Sequence, residues 1–252
     1  MNEFIDQFLP VERHLFFVLN GSDSPFLDNL MWTYTRPIAW MPLFLFLIFM
    51  MFYKTSYKEA ILTLVLFLLV FGISDFVSSS VFKPLFHRFR PTHYPGFEEY
   101  IDIVRNYRGG KYGFISGHAC TSFGIATFIS LVFRYKWVTI TSRYATSQYP
   151  FYISFRYKWV TITSMLWASI NSYSRIYLGV HFISDIVAGA IVGAMIAFLF
   201  FELYKWVRRK YFHVELTKPI QSVYNEQSAK IIAICLPCYI LLLLALSPFL
   251  YR

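Results

Sequence analysis

The chain has 252 residues, 57% of them hydrophobic and 15% charged. A soluble domain carries about 25% charged residues, so this composition excludes an ordinary soluble fold and points to an integral membrane protein. The formal net charge of +9 is read as a match to anionic lipid head groups and to membrane orientation, and no nucleic-acid partner is expected.

Taken in order, residues Phe4 to Leu19 are apolar but interrupted by Asp6, Pro10, Glu12, Arg13 and His14, which predicts an interfacial amphipathic helix and not a span. No basic region or small-residue cleavage site precedes it, so the segment is expected to be retained. GSDSP at Gly21–Pro25 is a turn. Ile38 to Tyr53 is a first span, slightly short unless it starts nearer Trp32, with Trp32, Tyr34 and Trp40 suited to the interface. Ala60 to about Phe82 is a second span despite Asp75, whose cost inside a bilayer marks it as a candidate functional residue. The basic run KPLFHRFRP (Lys83–Pro91) and a long polar loop to Ile115 follow. Further spans are predicted from Ser116 to Phe133, Val160 to Tyr177, Phe182 to Tyr204 and Ile231 to Phe249. The expected fold is therefore an all-α membrane bundle of five or six transmembrane helices with an N-terminal interfacial helix. It forms one membrane domain over 1–252, with the interfacial segment at 1–30, the core at 60–204 and a C-terminal span at 229–250.

The ten residues FRYKWVTITS occur twice unchanged, at Phe133–Ser142 and Phe155–Ser164. A single repetition is no solenoid, and a local duplication within 133–164 that lengthens one loop is the simpler reading. Cations in the loops around Lys54–Lys58, Arg134–Lys158 and Lys205–Lys210 all fall on one side if spans alternate. By the positive-inside rule that side is cytoplasmic, and the opposite side carries 83–116 and the turn 174–181.

Three stretches on that outer side carry chemistry. His181 and Asp185 are four residues apart, one helical turn on one face. There a carboxylate can accept the Nδ1 hydrogen and leave Nε2 free as a nucleophile. Ser116, Gly117 and His118 open a helix whose free backbone N–H groups suit a phosphate, and Gly117 lets the backbone approach closely. Lys83, Arg90 and Arg175 add three cations for phosphoryl oxygens. His118, His181 and Asp185 are also plausible zinc or iron ligands, but three cations at the same end would repel a divalent ion, so no metal and no cofactor are expected. Helix-end snorkelling explains any one of these residues, though not all of them at fixed spacings.

These stretches resemble the signature of the type 2 phosphatidic acid phosphatase superfamily, K-x6-RP, then PSGH, then SR-x5-H-x3-D. Lys83, Arg90 and Pro91 match the first element, Ser116, Gly117 and His118 the second, and Ser174, Arg175, His181 and Asp185 the third. Ile115 stands where the family usually has Pro, and a geometric effect is expected from it. The resemblance covers about Ala60 to Tyr204. It implies that His181 attacks phosphorus to form a phosphohistidine, that Asp185 orients it, and that His118 protonates the leaving alcohol and then activates water. It implies that Lys83, Arg90, Ser116, Gly117, Ser174 and Arg175 bind the phosphate without a metal. The substrate class it implies is a membrane lipid phosphate or diphosphate, with lipid A or undecaprenyl diphosphate foremost, met at the periplasmic face of a bacterial inner membrane. A phospho-group transferase with a lipid acceptor, or a non-catalytic transporter, remains an alternative. Composition leaves the oligomeric state open.

Weaker signals are the CLPC spacing at Cys235–Cys238 and the lone Cys120, both read as apolar packing. His87 and His93 flank the first motif without a catalytic role, and Arg105, Arg108 and Lys111 are a basic outer-loop stretch able to meet a substrate head group.

Overall fold

A computed structural model of the protein describes residues 9–133, 158–212, 223–224 and 226–250. They form an almost wholly helical bundle: α1 (Leu9–Leu19), α2 (Pro25–Thr35), α3 (Pro37–Phe52), α4 (Tyr57–Phe76), α5 (Gly117–Phe133), α6 (Lys158–Tyr177), α7 (Ile183–Tyr211) and α8 (Glu226–Leu250). The all-α membrane class expected from composition is the class observed. The helix around Tyr57–Phe86, together with α7 and α8, is long and apolar enough to cross a bilayer, and α2 with α3 forms a bent pair that passes the same test. The shorter apolar α5 and the more polar α6 complete the bundle. α6 is less apolar because its polar residues face inward: Thr163, Ser164, Asn171 and Ser172 are buried, Asn171 donates to Ser122 Oγ at 2.7 Å and the Ser164 and Ser130 hydroxyls lie 3.0 Å apart.

The first span differs from its sequence expectation. The helix before it stops at Thr35 and restarts at Pro37 with a 51° bend. Pro37 has no N–H to continue the ladder, and its ring disfavours helical backbone at Arg36. The corner is pinned by Trp40 Nε1, which donates to the Tyr34 carbonyl at 2.7 Å, while the Tyr34 and Trp40 rings stack.

The centre of the bundle is the contact between α5 and α7. Gly189 and Gly193 make a small-xxx-small stripe on α7. A Cβ on Gly193 would sit 2.0 Å from the Cys120 carbonyl oxygen, and one on Gly189 2.7 Å from that of Ser116. Only glycine allows these two backbones to meet, and that meeting carries the start of α5 to the start of α7. At the far end Arg208 Nε pairs with Glu59 Oε1 at 2.9 Å, holding the end of α7 to the start of α4. The cations Lys54, Lys58 and Lys205–Lys210 therefore lie at the end of the bundle opposite the three motifs.

The loop after α4 is folded down onto the motif end. A π-helical stretch, Val77–Phe82, widens the exit of α4 and leads into the short helix Lys83–Phe86. Beyond it come three short 3-10 turns and an isolated antiparallel bridge between Phe89 and Tyr112 before α5. Asn20 fixes this loop by donating to the Asp102 and Tyr177 carbonyls and accepting the Asp102 N–H. Phe16 of α1 packs on Phe97 and Phe182. The first copy of FRYKWVTITS after Phe133, the whole of the intervening segment and the first three residues of the second copy lie outside the described residues; the second copy enters α6 at Lys158. Among the described residues the cysteines are free, with Cys120 buried and Cys238 exposed.

Candidate active site

Seven of the candidate functional residues read from the sequence, Asp75, Lys83, Arg90, Gly117, His118, Arg175 and His181, line one cavity of about 870 Å³. The positioning follows from local structure. The π-helical exit of α4 delivers Lys83, and a Cβ on Gly117 would lie 4.0 Å from its Nζ and 3.1 Å from Ser78 Oγ. Arg90 is tied by its backbone N–H to the Lys111 carbonyl and by Nε to that of Tyr112. Arg175 ends α6, where Nη1 donates to Thr35 Oγ1 and Nη2 donates to the Tyr107 hydroxyl at 3.3 Å.

His181 is buried beside Asp185, with Nδ1 3.3 Å from Oδ2. The same oxygen accepts the Phe182 N–H at 3.0 Å, so the carboxylate caps α7 and orients the imidazole at once. Burial first, then Arg90, Arg175 and Lys83, hold the His181 pKa well below its ordinary value, so the ring is neutral and able to act as a nucleophile. His118 is fixed from the opposite side: its Nε2 lies 3.1 Å from the Thr35 carbonyl oxygen.

The cations are in excess. Among the described residues Arg90 and Arg175 are buried without a carboxylate of their own, and burial followed by the nearby Arg175 charge lowers the Arg90 pKa. Taking an unpaired guanidinium out of water costs several kcal/mol, and a bound dianion offsets that cost. Tyr107 responds to the same field. Burial would raise its phenol, but Arg175, Arg90 and Lys83 outweigh it and bring the pKa below the ordinary value. Among the described residues no group of three or more His, Cys, Asp or Glu side chains is placed to hold a metal ion.

Three expected site residues stand behind the cavity wall. Asp185 lies behind His181. Ser116 accepts the Ala119 N–H on its hydroxyl and donates its own N–H to the Asp185 carbonyl. Ser174 donates its hydroxyl to the Asn171 carbonyl at 2.6 Å. Both serines are fully buried, which places their hydroxyls in the helix ends that carry Gly117 and Arg175. Residues outside the motifs also matter to this geometry. Thr35 touches both His118 and Arg175, and Tyr107 touches Arg175. Gly113 is bare where a Cβ would lie 3.1 Å from Asp185 Oδ2 and 3.5 Å from His181 Nδ1. None of them has a local sequence signal, since each is defined by what the fold brings to it.

A helical membrane bundle with two histidines in a cationic pocket at one end fits the class of membrane-embedded phosphatases. The chain belongs to the PAP2 superfamily, which its residues 60–209 match. It is 36% identical over 245 residues to a Lipid A 4'-phosphatase of Porphyromonas gingivalis, covering 96% of this chain and 94% of that protein. It is 32% identical over 192 residues to a Lipid A 4'-phosphatase of Bacteroides thetaiotaomicron, covering 76% of each. Its fold is similar to the crystal structure of a transmembrane PAP2 type phosphatidylglycerolphosphate phosphatase from Bacillus subtilis, with a TM-score of 0.53 and 22% identity over 83% of this chain and 90% of that one. The protein is thus an integral membrane lipid phosphatase.

Proposed function

We propose that the protein removes a phosphate monoester from lipid A, at the 4' position named in its relatives, through a phosphohistidine. The observation that carries the lipid substrate is the shape of the cavity. Its charged floor continues without a break into an apolar wall that includes Trp40, Phe44, Phe67 and Trp167. Ile38, Met41, Leu68 and Phe71 belong both to that wall and to the exposed apolar surface of α3 and α4. A phosphate can therefore sit among the cations while its acyl chains remain in the lipid phase.

In this reading Lys83, Arg90, Arg175 and the backbone N–H groups at Gly117 hold the phosphoryl oxygens. His181 forms a bond to phosphorus as the bond to the sugar oxygen breaks, and His118 gives its proton to that oxygen. Asp185 stabilises the positive imidazole as it forms. His118 then takes a proton from water, whose oxygen attacks phosphorus and releases inorganic phosphate and free His181. Ser116 and Ser174 hold the helix ends that present Gly117 and Arg175. The cations at the opposite end of the bundle support an outward site on the periplasmic face of a bacterial inner membrane, within one membrane domain.

The test is phosphate release by the purified full chain in excess chelator, across lipid A, undecaprenyl diphosphate, phosphatidylglycerophosphate and phosphatidic acid. Release from lipid A that disappears in His181→Ala is the expected result. Preference for another lipid overturns the substrate, and transfer of phosphate to a second lipid without free phosphate overturns hydrolysis.

A further inference from the structure

A line of buried charge runs from the N-terminal helix to the back of His181. Arg88 Nη2 donates to Glu12 Oε2 at 2.8 Å, and Arg88 Nη1 donates to Asp185 Oδ1 at 2.7 Å. The other Asp185 oxygen faces His181. Glu12 is 7% exposed, Arg88 2% and Asp185 0%. Glu12 Oε1 also accepts the N–H of Ser184, next to Asp185, and the Arg88 guanidinium lies over the Phe182 ring at 4.6 Å. Glu12 lies outside the three motifs and Arg88 is one of the unspecified residues within the first, and Glu12 comes from a helix whose sequence suggested only an interfacial anchor.

Charge decides what this arrangement does. An Arg88–Asp185 pair alone is neutral, and at this depth a guanidinium 2.7 Å away would take up most of the field that Asp185 offers to His181. A second carboxylate on the same guanidinium returns the cluster to one net negative charge. Burial opposes the charge on Arg88, yet Asp185 and Glu12 together raise its pKa, as shared pairing requires.

We propose that Glu12 is a positioning residue of the phosphatase site: by sharing Arg88 it leaves the Asp185 charge uncompensated where it faces His181, which makes α1 part of the reaction apparatus. This rests on the reading of His181 as the nucleophile. The imidazole is faced by Asp185 from α7, Lys83 from the helix after α4, Arg90 and Tyr107 from the outer loop, His118 from α5 and Arg175 from α6. Arg88 and Glu12 stand behind Asp185.

Glu12→Gln keeps the shape and removes the charge. In the full-length protein it is expected to lower kcat by ~10–100-fold, by analogy with the loss of a hydrogen-bond partner behind a metal-bound histidine, with KM unchanged. The acidic limb of kcat/KM is expected to move to lower pH, because an unshared Arg88 disfavours the imidazolium. Glu12→Asp keeps the charge and should recover most of kcat. Combining Glu12→Gln with Arg88→Gln returns the net charge to that of Asp185 alone and should move the limb back toward wild type. A Glu12→Gln protein with wild-type kcat and pH limb overturns the inference. So does a loss of thermal stability in all three variants with unchanged kcat per folded molecule, which marks an anchor. His181→Ala is the control that separates the two readings: if it keeps activity the nucleophile assignment fails, whereas its inactivity beside a normal Glu12→Gln removes only the role of Glu12.

Discussion

Thr35 holds His118: the backbone carbonyl at the broken end of α2 lies 3.1 Å from Nε2 of the imidazole. The carbonyl is available because Pro37 and the bend remove the N–H groups that would continue the helix. The same residue accepts Arg175 on its hydroxyl. One turnless corner therefore orients the candidate general acid through its backbone and a candidate phosphate-binding cation through its side chain.

Those two functions of Thr35 are separable. Thr35→Val keeps the carbonyl and removes the hydroxyl, leaving Arg175 with a weaker hold. A hydrogen bond to a charged group is worth ~1.5–3 kcal/mol, so KM for the lipid phosphate is expected to rise by about tenfold or more. Because His118 keeps its acceptor, kcat should change by less than about threefold. Michaelis kinetics on phosphate release decide it, and a kcat effect with unchanged KM would contradict the division.

His118 as proton donor predicts a dependence on the leaving group. His118→Ala should lose ~10²–10⁴ in rate on a lipid phosphate. On p-nitrophenyl phosphate, whose leaving oxygen needs no proton, the first turnover should lose much less, seen as a burst of nitrophenol ahead of slow dephosphorylation. Equal losses on both substrates would mean that His118 does not give up a proton in that step.

The pH profile follows from the sign of the His181 shift. Burial and three cations lower its pKa, so the neutral, attacking form persists as pH falls and is lost only below the ordinary value of ~6.5. The acidic limb of kcat/KM is expected below that value. Arg90→Gln removes one of the three cations that lower this pKa and should move the limb upward, in addition to weakening binding; a limb that stays in place would show that Arg90 does not contribute to the shift.

The α5–α7 contact predicts a stability difference between two glycine substitutions. Gly193→Ala puts a methyl 2.0 Å from the Cys120 carbonyl oxygen, so the helices must part. A loss of several kcal/mol is expected, on the order of the largest single-residue effects, together with loss of activity. Gly72→Ala, on α4 with nothing within 4 Å of the added methyl, should be neutral or stabilising by ~0.5–1 kcal/mol. Thermal unfolding in detergent compares them.

The helices of this bundle were legible because a bilayer demands long apolar runs, and four of the expected spans coincide with helices to within about three residues, while α7 ends later and α8 starts earlier than expected. The bend at Arg36–Pro37 was signalled by its proline but hidden in an apolar run that reads as continuous. The Gly189–Gly193 stripe was present in the sequence as a small-xxx-small spacing, yet spacing does not say which backbone it faces. CLPC was expected to be buried, and Cys238 is exposed, because one face of α8 is turned outward.

By itself the sequence determined the chemistry on offer: two histidines, a carboxylate one turn after one of them, three cations and a glycine helix start, in an order that alternating spans must bring to one end. Local spacing suffices for this, since i to i+4 neighbours and helix ends are set by backbone geometry. Only the tertiary structure decided that Ser116 and Ser174 turn into their own helices, that Thr35 and Tyr107 hold Arg175, and that Glu12 reaches Asp185 through Arg88. Glu12 and Asp185 are far apart in the chain, and their meeting depends on burial, where a charge without a partner is too costly to leave alone.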